Sequence, residues 1–146
     1  MNSNLVIEKL LSQSGQVSSN LPSPMVAGRA LKRTVHLLFP QRGADEFPAS
    51  RDKETLAREL HAIRDDLMAC LKPLKDRLAK EPAAVCDNFL ERLPALQEMM
   101  LSDAQALFAG DPAAKSIDEV LLSYPGFFAT AIHRIAHEFY REDIPL

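Results

Sequence analysis

The sequence feature that most constrains the fold is the density of helix-start signals in residues 110–146. Asp111 stands before a proline, an arrangement that favours a helix N-terminus, and Ser116 stands three residues before Glu119, the spacing of a capping box. Pro125 then opens a stretch in which apolar side chains recur at helical spacing: Phe128, Ala131, Ile132, Ile135, Ala136, Phe139 and Tyr140. This pattern predicts a long amphipathic helix that faces a core.

The longest periodic stretch of the chain is residues 52–80. Its aliphatic side chains recur every third or fourth position, at Leu56, Leu60, Ile63, Leu67, Leu71, Leu74 and Leu78. Pro73 interrupts this stripe, and proline in a helix interior removes one hydrogen bond and typically costs about 3 kcal/mol. Because the stripe continues in phase beyond the proline, we expect one kinked helix rather than two helices.

The other segments are also predicted as helices joined by turns. Apolar stripes indicate helices over residues 2–14 and 23–38, with a Ser- and Pro-containing linker between them and a loop over 41–50. After residue 80 we expect a short helix that Pro94 ends, followed by another helix over 94–109. No stretch shows the alternation typical of a strand.

These patterns predict an all-α fold, a multi-helix bundle in which residues 1–50 are N-terminal helices and a linker, and 51–146 are a helical core. The chain has 146 residues, of which 47% are hydrophobic, and this is enough for one core. The net charge is −3, and the acidic and basic residues are interspersed. Arg29, Lys32 and Arg33 form the nearest approach to a basic cluster, which we interpret as a solvated helix face rather than a nucleic-acid footprint.

Cysteine usage and the lack of targeting signals indicate the compartment. Cys70 and Cys86 lie in apolar helical segments, and neither a signal peptide nor a membrane-length apolar run is visible. We therefore expect a cytosolic protein with two free, buried thiols. The five glycines form no phosphate-binding loop.

Two histidines invite a metal-site hypothesis. His133 and His137 are four residues apart, so both imidazoles lie on one side of a helix. The spacing resembles a zinc-protease helix, but Arg134 stands where that motif needs its glutamate, and no third ligand is evident. We therefore predict two partly exposed imidazoles and no metal site.

Three segments, GDPAAKS, DEVLLSYPG and RIAHEFY, carry a resemblance to a known family. In this order and spacing they resemble the end of the N-terminal helical domain of bacterial-type serine O-acetyltransferases, over residues 84–146. In that family the helical domain precedes a left-handed parallel β-helix of hexapeptide repeats, where acetyl transfer takes place. Because no such six-residue repeat occurs in the sequence, we expect these 146 residues to hold no catalytic residue and to be inactive alone.

The resemblance also implies substrates and partners. Such enzymes transfer the acetyl group of acetyl-CoA to the hydroxyl of L-serine, which feeds cysteine biosynthesis in the cytoplasm. Their helical domains hold trimers together in pairs, which implies a homo-oligomer, and their C-terminus implies O-acetylserine sulfhydrylase as a partner. For these 146 residues themselves we expect no bound cofactor, no nucleic acid and no membrane.

Asp111 has two interpretations that do not exclude each other. In the first, it is a helix N-cap whose carboxylate accepts hydrogen bonds from backbone N–H groups. In the second, which comes from the resemblance, Asp111 and Pro112 match the aspartate and proline that border the serine pocket of the family. There the carboxylate pairs with the ammonium group of the substrate, so the predicted substrate-binding residues are Asp111 and Pro112.

A second functional hypothesis is a non-catalytic helical interaction module that acts as an adaptor or as a regulator of a complete enzyme. The aromatic side chains of the last helix, Phe127, Phe128, Phe139 and Tyr140, bear on this question because they spread over more than one face. Either they contact a neighbouring subunit, or the other helices of the domain cover them.

Overall fold

The computed structural model describes residues 3–14, 21–42 and 52–144. These residues form the helices α1 (Ser3–Ser14), α2 (Pro24–Leu38), α3 (Lys53–Leu71), α4 (Pro82–Gly110), α5 (Ile117–Ser123) and α6 (Pro125–Arg141), and the 3₁₀ segments Pro40–Arg42 and Lys72–Arg77. No strand occurs in these three ranges, so the all-α prediction is confirmed. Most of the expected loop 41–50 and of the linker before α2 lies outside the described residues, as do positions 145 and 146.

The hydrophobic core lies between α2, α3, α4 and α6. The predicted stripe of α3 points into it, since Ile63, Leu67 and Leu71 are buried. Aromatic side chains join the layers at two places: the rings of Phe39 and Phe127 meet edge to face at 5.4 Å, and those of Phe89 and Phe139 stack at 4.7 Å. The chain itself therefore packs against three of the four aromatic side chains of α6, Phe127, Phe128 and Phe139, and leaves Tyr140 exposed.

Side-chain caps begin two of the helices. The Asp52 carboxylate accepts a hydrogen bond from the Thr55 N–H at 2.8 Å at the start of α3. At the start of α5, the Ser116 hydroxyl accepts one from the Glu119 N–H at 3.1 Å, as the capping-box spacing predicts. The Glu119 carboxylate reaches one residue further back than in the standard box and accepts from the Lys115 N–H at 2.8 Å.

The predicted helix boundary at Pro94 is wrong. α4 runs for 29 residues without interruption, and Pro94 lies inside it with its side chain exposed. The apolar face of the helix is buried on both sides of the proline, for example at Phe89 and Met100. Burial of this face offsets the hydrogen bond that proline removes, a local cost of about 3 kcal/mol.

The predicted kinked helix over 52–80 is also wrong in its second half. α3 ends at Leu71, and the chain continues as the 3₁₀ segment Lys72–Arg77, in whose first turn Pro73 stands. Leu74 still reaches the core and is 1% exposed. The stripe continues in phase because a 3₁₀ turn of three residues returns to nearly the same side of the chain as an α-helical turn.

Ion pairs connect α2 to α3. The buried Asp66 carboxylate accepts from Arg29 Nε at 3.0 Å, and the Arg33 guanidinium donates to Glu59 at 3.0 Å. Arg29 and Lys32 are exposed, as expected for a solvated helix face, but Arg29 and the partly buried Arg33 also pair with carboxylates of α3, which the sequence did not indicate. The two carboxylates are buried and Asp66 also pairs with Arg33, so removal of both arginines would leave two buried charges without these partners, and the pairs therefore support the docking of α2.

The two ends of the predicted 1–50 segment differ in environment. α2 contributes Val35 and Leu38 to the core, and Phe39 follows them there, whereas the apolar side chains of α1 are about half exposed or more.

Among the described helices, none is long and apolar enough to cross a membrane.

Replacement of Pro94 by alanine tests whether tertiary burial offsets a local strain. Pro94→Ala restores a hydrogen bond and removes a ring clash at an exposed position of α4. We therefore expect the free energy of unfolding to rise by about 2 kcal/mol, measured by urea denaturation followed by circular dichroism. Pro125→Ala is the matched control, because Pro125 occupies the first turn of α6, where proline is well tolerated. A loss of stability in Pro94→Ala would contradict this account.

Candidate functional site

A shallow cleft opens where the end of α4 meets the start of α6. Its volume is about 480 Å³, and it is lined by Asp103, Ala106, Leu107, Gly110, Asp111, Tyr124 and Thr130. The geometry follows from chain order, since α6 packs against α4 and Asp111 and Tyr124 stand directly beside the two helices. This cleft contains the aspartate that the sequence singles out.

Asp111 ends a helix rather than beginning one. Its N–H donates to the Leu107 carbonyl at 3.1 Å as the C-terminal cap of α4, and its own carbonyl accepts from the Ala114 N–H at 3.1 Å. Residues 112 and 113 form a turn and not a helix. The interpretation of Asp111 as a helix N-cap is therefore wrong, because no helix begins there. Its carboxylate does, however, accept a hydrogen bond from a backbone N–H, that of Ala113, at 2.8 Å.

The second oxygen of the Asp111 carboxylate binds a side chain far away in sequence. The Tyr124 hydroxyl donates to Oδ2 at 2.7 Å, while the Ala113 N–H donates to Oδ1. This bond joins the two ends of the segment between α4 and α6, since Asp111 follows α4 and Tyr124 precedes α6. Sequence periodicity did not reveal it, because the two residues are thirteen positions apart and α5 lies between them.

These hydrogen bonds fix the charges in the cleft. The bond from Tyr124 and then the bond from Ala113 lower the pKa of the Asp111 carboxyl below its usual value. The same bond raises the pKa of Tyr124 to about 12. At neutral pH the carboxylate is therefore ionised and the phenol is protonated. Both donors found for Asp111 in the described residues are uncharged, so the negative charge of the carboxylate is not neutralised by them.

A second carboxylate in the cleft is already paired. Arg134 of α6 donates from Nε and from Nη2 to the two oxygens of Asp103, each at 2.9 Å. This bidentate ion pair raises the pKa of the Arg134 guanidinium and also links α4 to α6. As far as the described residues show, the cleft thus holds one carboxylate paired with an arginine, Asp103, and one whose donors are neutral, Asp111.

Pro112, the other predicted site residue, is exposed in the turn next to Asp111 and does not line the cleft. The structure therefore brings Asp111 together with two side chains that the predicted substrate site did not include, Tyr124 and Asp103. The assignment of Asp111 and Pro112 to a substrate site stays a prediction.

The histidines lie away from this cleft. His133 and His137 are both exposed on α6, with ring centroids 6.2 Å apart, and Tyr140 continues the row at 5.8 Å from His137. Within the described residues, no group of three or more His, Cys, Asp or Glu side chains could hold a metal ion.

The cysteines are buried and free, as predicted. Burial raises the pKa of the Cys86 thiol to about 11, and burial also raises that of Cys70. Both side chains therefore stay protonated at neutral pH and are poor nucleophiles.

Comparison with known proteins agrees with the resemblance found in the sequence. Over 69 residues, 47% of this chain, the sequence is 39% identical to the plasmid serine acetyltransferase of Synechococcus elongatus, of which it covers 22%. It is 45% identical over 47 residues to serine acetyltransferase of Bacillus pumilus, and 46% identical over 43 residues to that of Bacillus subtilis, covering 22% and 20% of them. No family model matches.

The predicted resemblance to serine acetyltransferases is therefore confirmed, and the helical fold is consistent with an N-terminal helical domain. The chain spans about a fifth of the length of these curated relatives.

The Asp111–Tyr124 bond predicts a shifted tyrosine titration. The chain has two tyrosines, so Tyr140→Phe leaves Tyr124 as the single phenol to follow by phenolate absorbance. We expect a midpoint near 12 in this variant, and a lower midpoint when Asp111→Asn is added, because the neutral amide no longer stabilises the protonated phenol. Circular dichroism over the same pH range reports whether the fold persists. Equal midpoints with and without Asp111→Asn would contradict the bond.

The same bond predicts a pH dependence of stability at acid pH. Because the pKa of Asp111 is lowered in the folded state, its contribution is complete above the ordinary carboxyl pKa and is lost as the pH falls through the folded-state pKa. Tyr124→Phe removes the donor. We expect this variant to be less stable than the wild type at neutral pH and to approach it in acid, measured by urea unfolding at a series of pH values. Tyr140→Phe, at an exposed position, should follow the wild type throughout.

Proposed function

Proceeding from this homology to serine acetyltransferases, we propose that the chain is the N-terminal helical assembly domain of a serine O-acetyltransferase. The complete enzyme transfers the acetyl group of acetyl-CoA to the hydroxyl of L-serine in cytoplasmic cysteine biosynthesis. The observation that carries the proposal is the match of 47% of the chain to a serine acetyltransferase at 39% identity, on a domain whose described residues are helical.

The site chemistry supports a division of labour between this domain and the rest of the enzyme. Attack of the serine hydroxyl on a thioester needs a general base near the hydroxyl. The cleft at Asp111 is lined by neither histidine nor cysteine, and the His133 and His137 rings lie exposed on α6. We therefore assign the base to residues beyond position 146, by analogy a histidine–aspartate pair on the β-helix.

Asp111 is suited to bind the ammonium group of serine. Its carboxylate is ionised and lies half-buried at an open cleft, and each oxygen accepts one hydrogen bond from a neutral donor. A carboxylate oxygen can accept more than one hydrogen bond, so both oxygens keep acceptor capacity for an ammonium N–H. In the proposal, the hydrogen bonds from Tyr124 and Ala113 hold the carboxylate in one orientation, and Pro112 meets the bound serine from the turn next to the cleft.

The proposed partners follow from the assembly role. We propose that the helical domain joins copies of the enzyme, as in the pairing of trimers, and that O-acetylserine sulfhydrylase binds the complete enzyme through its C-terminus. Acetyl-CoA is then a co-substrate of the complete enzyme rather than a ligand of this domain. Neither nucleic acid nor a membrane has a part in this proposal.

The assay for activity is direct. Residues 1–146, purified alone, should release no more CoA from acetyl-CoA and L-serine than a heat-denatured sample of the same protein does. Thiol-reactive dye added after quenching measures the CoA. Release of CoA that depends on serine and exceeds the denatured control would overturn the proposed division of labour.

The role of Asp111 is tested in the complete enzyme. Because the neutral amide cannot pair with the ammonium group, Asp111→Asn should raise the KM for serine about tenfold or more and leave the KM for acetyl-CoA unchanged. Asp103→Asn is the matched control, because it changes the same charge in the same cleft at a carboxylate already paired with Arg134. Equal effects of the two variants on the serine KM would refute the specific role of Asp111.

A further inference from the structure

Residues 139–144, the C-terminal turn, end α6 with the hydrogen bonds of a Schellman motif. The Asp143 N–H donates to the Tyr140 carbonyl at 3.1 Å, and the Ile144 N–H reaches back five residues to the Phe139 carbonyl at 3.2 Å. These two bonds satisfy carbonyl groups that the end of a helix would otherwise leave without a partner. The helix therefore ends in a defined geometry rather than by fraying.

Asp143 has the unusual backbone conformation that this turn requires. Its φ is 54°, in the left-handed region, where a Schellman motif usually has glycine because the Cβ atom of other residues is crowded. Among the described residues, Asp143 is the one non-glycine residue with a positive φ. Aspartate tolerates this region better than most residues, whereas a β-branched side chain does not. The residue type at position 143 therefore decides whether the turn can form.

Ile144 joins the C-terminal turn to the bundle. Although it lies beyond the end of α6, it is 7% exposed and belongs to the hydrophobic core. It lines an apolar groove of about 180 Å³ between α2, α3, α4 and α6, whose walls also include Phe139 and Cys70. On the surface, Lys80 Nζ donates to the Glu142 carboxylate at 2.6 Å. The turn is thus held both by the core and by the segment that precedes α4.

The geometry of this turn matters because α6 connects it to the cleft. α6 begins directly after Tyr124, which donates to Asp111, and it runs for 17 residues. The cleft and the C-terminal turn therefore lie at opposite ends of a rod about 25 Å long, and a tilt of about 10° at one end displaces the other by about 4 Å. In an active site, a misplacement of about 1 Å can cost about a hundredfold in rate. A small change at the turn is thus a large displacement between the cleft and any polypeptide that follows the turn.

We propose that Asp143 and Ile144 are positioning residues for serine binding, because the C-terminal turn sets the orientation in which the helical domain presents Asp111 to the rest of the enzyme. The inference rests on the proposed function, in which Asp111 binds the ammonium group and the catalytic base lies beyond position 146. A flexible connection would let these two parts of the site move relative to each other, whereas a Schellman motif with a buried residue holds one orientation. Asp143 and Ile144 act through Asp111 and do not touch the substrate.

Amide hydrogen exchange of residues 1–146 tests the turn itself. Asp143→Val places a β-branched residue in the left-handed region, so the turn should open and the Ile144 N–H should exchange about tenfold faster or more. Asp143→Asn is the conservative variant, because asparagine tolerates this region, and it should keep the protection. Asp65→Val is the matched control, since it removes the same charge and adds the same side chain at an exposed helical position of α3. The Ile135 amide, in the middle of α6, should stay protected in all three variants.

Steady-state kinetics of the complete enzyme test the positioning role. Asp143→Val should raise the KM for serine about tenfold and leave the KM for acetyl-CoA unchanged, because acetyl-CoA is not a ligand of the helical domain in the proposed function. Asp143→Asn and Asp65→Val should match the wild type in both constants. A purely structural loss would lower the amount of active enzyme, and with it the apparent kcat, without this difference between the two KM values.

A double-mutant cycle shows whether the turn acts through Asp111. In an enzyme that already carries Asp111→Asn, no carboxylate is left to orient, so Asp143→Val should change the KM for serine little further. Effects of the two substitutions that simply multiply would contradict the proposed route from the turn to the site.

Other outcomes would overturn the inference and separate it from the proposed function. If Asp143→Val opens the turn but leaves the KM for serine unchanged, the turn has no positioning role, and the Asp111→Asn result still decides the role of Asp111 by itself. If the Ile144 N–H stays protected in Asp143→Val, position 143 does not control the turn. If Asp143→Asn raises the KM for serine as much as Asp143→Val does, the carboxylate of Asp143 matters rather than its backbone conformation.

Discussion

Burial of the apolar face of α4 is the constraint on which the rest of the structure depends. This face supplies Phe89, Leu96 and Met100 to the core, and α3, α5 and α6 all contact the helix. Because α6 packs on α4, the start of α6 lies close to the end of α4. The Asp111–Tyr124 bond joins those two points. The geometry of the cleft is therefore a consequence of how two helices pack, and the cleft needs no special loop to form.

The sequence predicted the helices better than their ends. The start of a helix can be predicted from residues that are close in sequence, and Ser116 caps α5 as its spacing to Glu119 indicates. Prolines gave wrong boundaries because the free-energy cost of a proline is local, whereas the compensation is tertiary. Pro94 stays inside a continuous helix, while at Pro73 the chain leaves α-helical geometry. The residues around each proline do not reveal which faces will be buried, so no local pattern distinguishes the two cases.

The site was predictable only in part. Asp111 attracted attention through its neighbours in sequence and through the resemblance, yet its structural role differs from the one its local pattern indicates, since it ends α4 instead of beginning a helix. Tyr124 and the pairing of Arg29 with Asp66 were invisible, because these contacts join positions 13 and 37 residues apart. Periodicity reports neighbours three or four positions away on one helix, and contacts between helices require knowledge of how the helices pack.

The two buried thiols can serve as chemical probes of how often the helical bundle opens. A thiol reacts with an alkylating reagent as the thiolate, and burial both withholds solvent from Cys70 and Cys86 and keeps them protonated. Cys86 is fully buried on α4, so its modification has to wait until the helices packed around α4 separate. The alkylation rate of Cys86 at low reagent concentration thus follows the population of the opened bundle, without any engineered label.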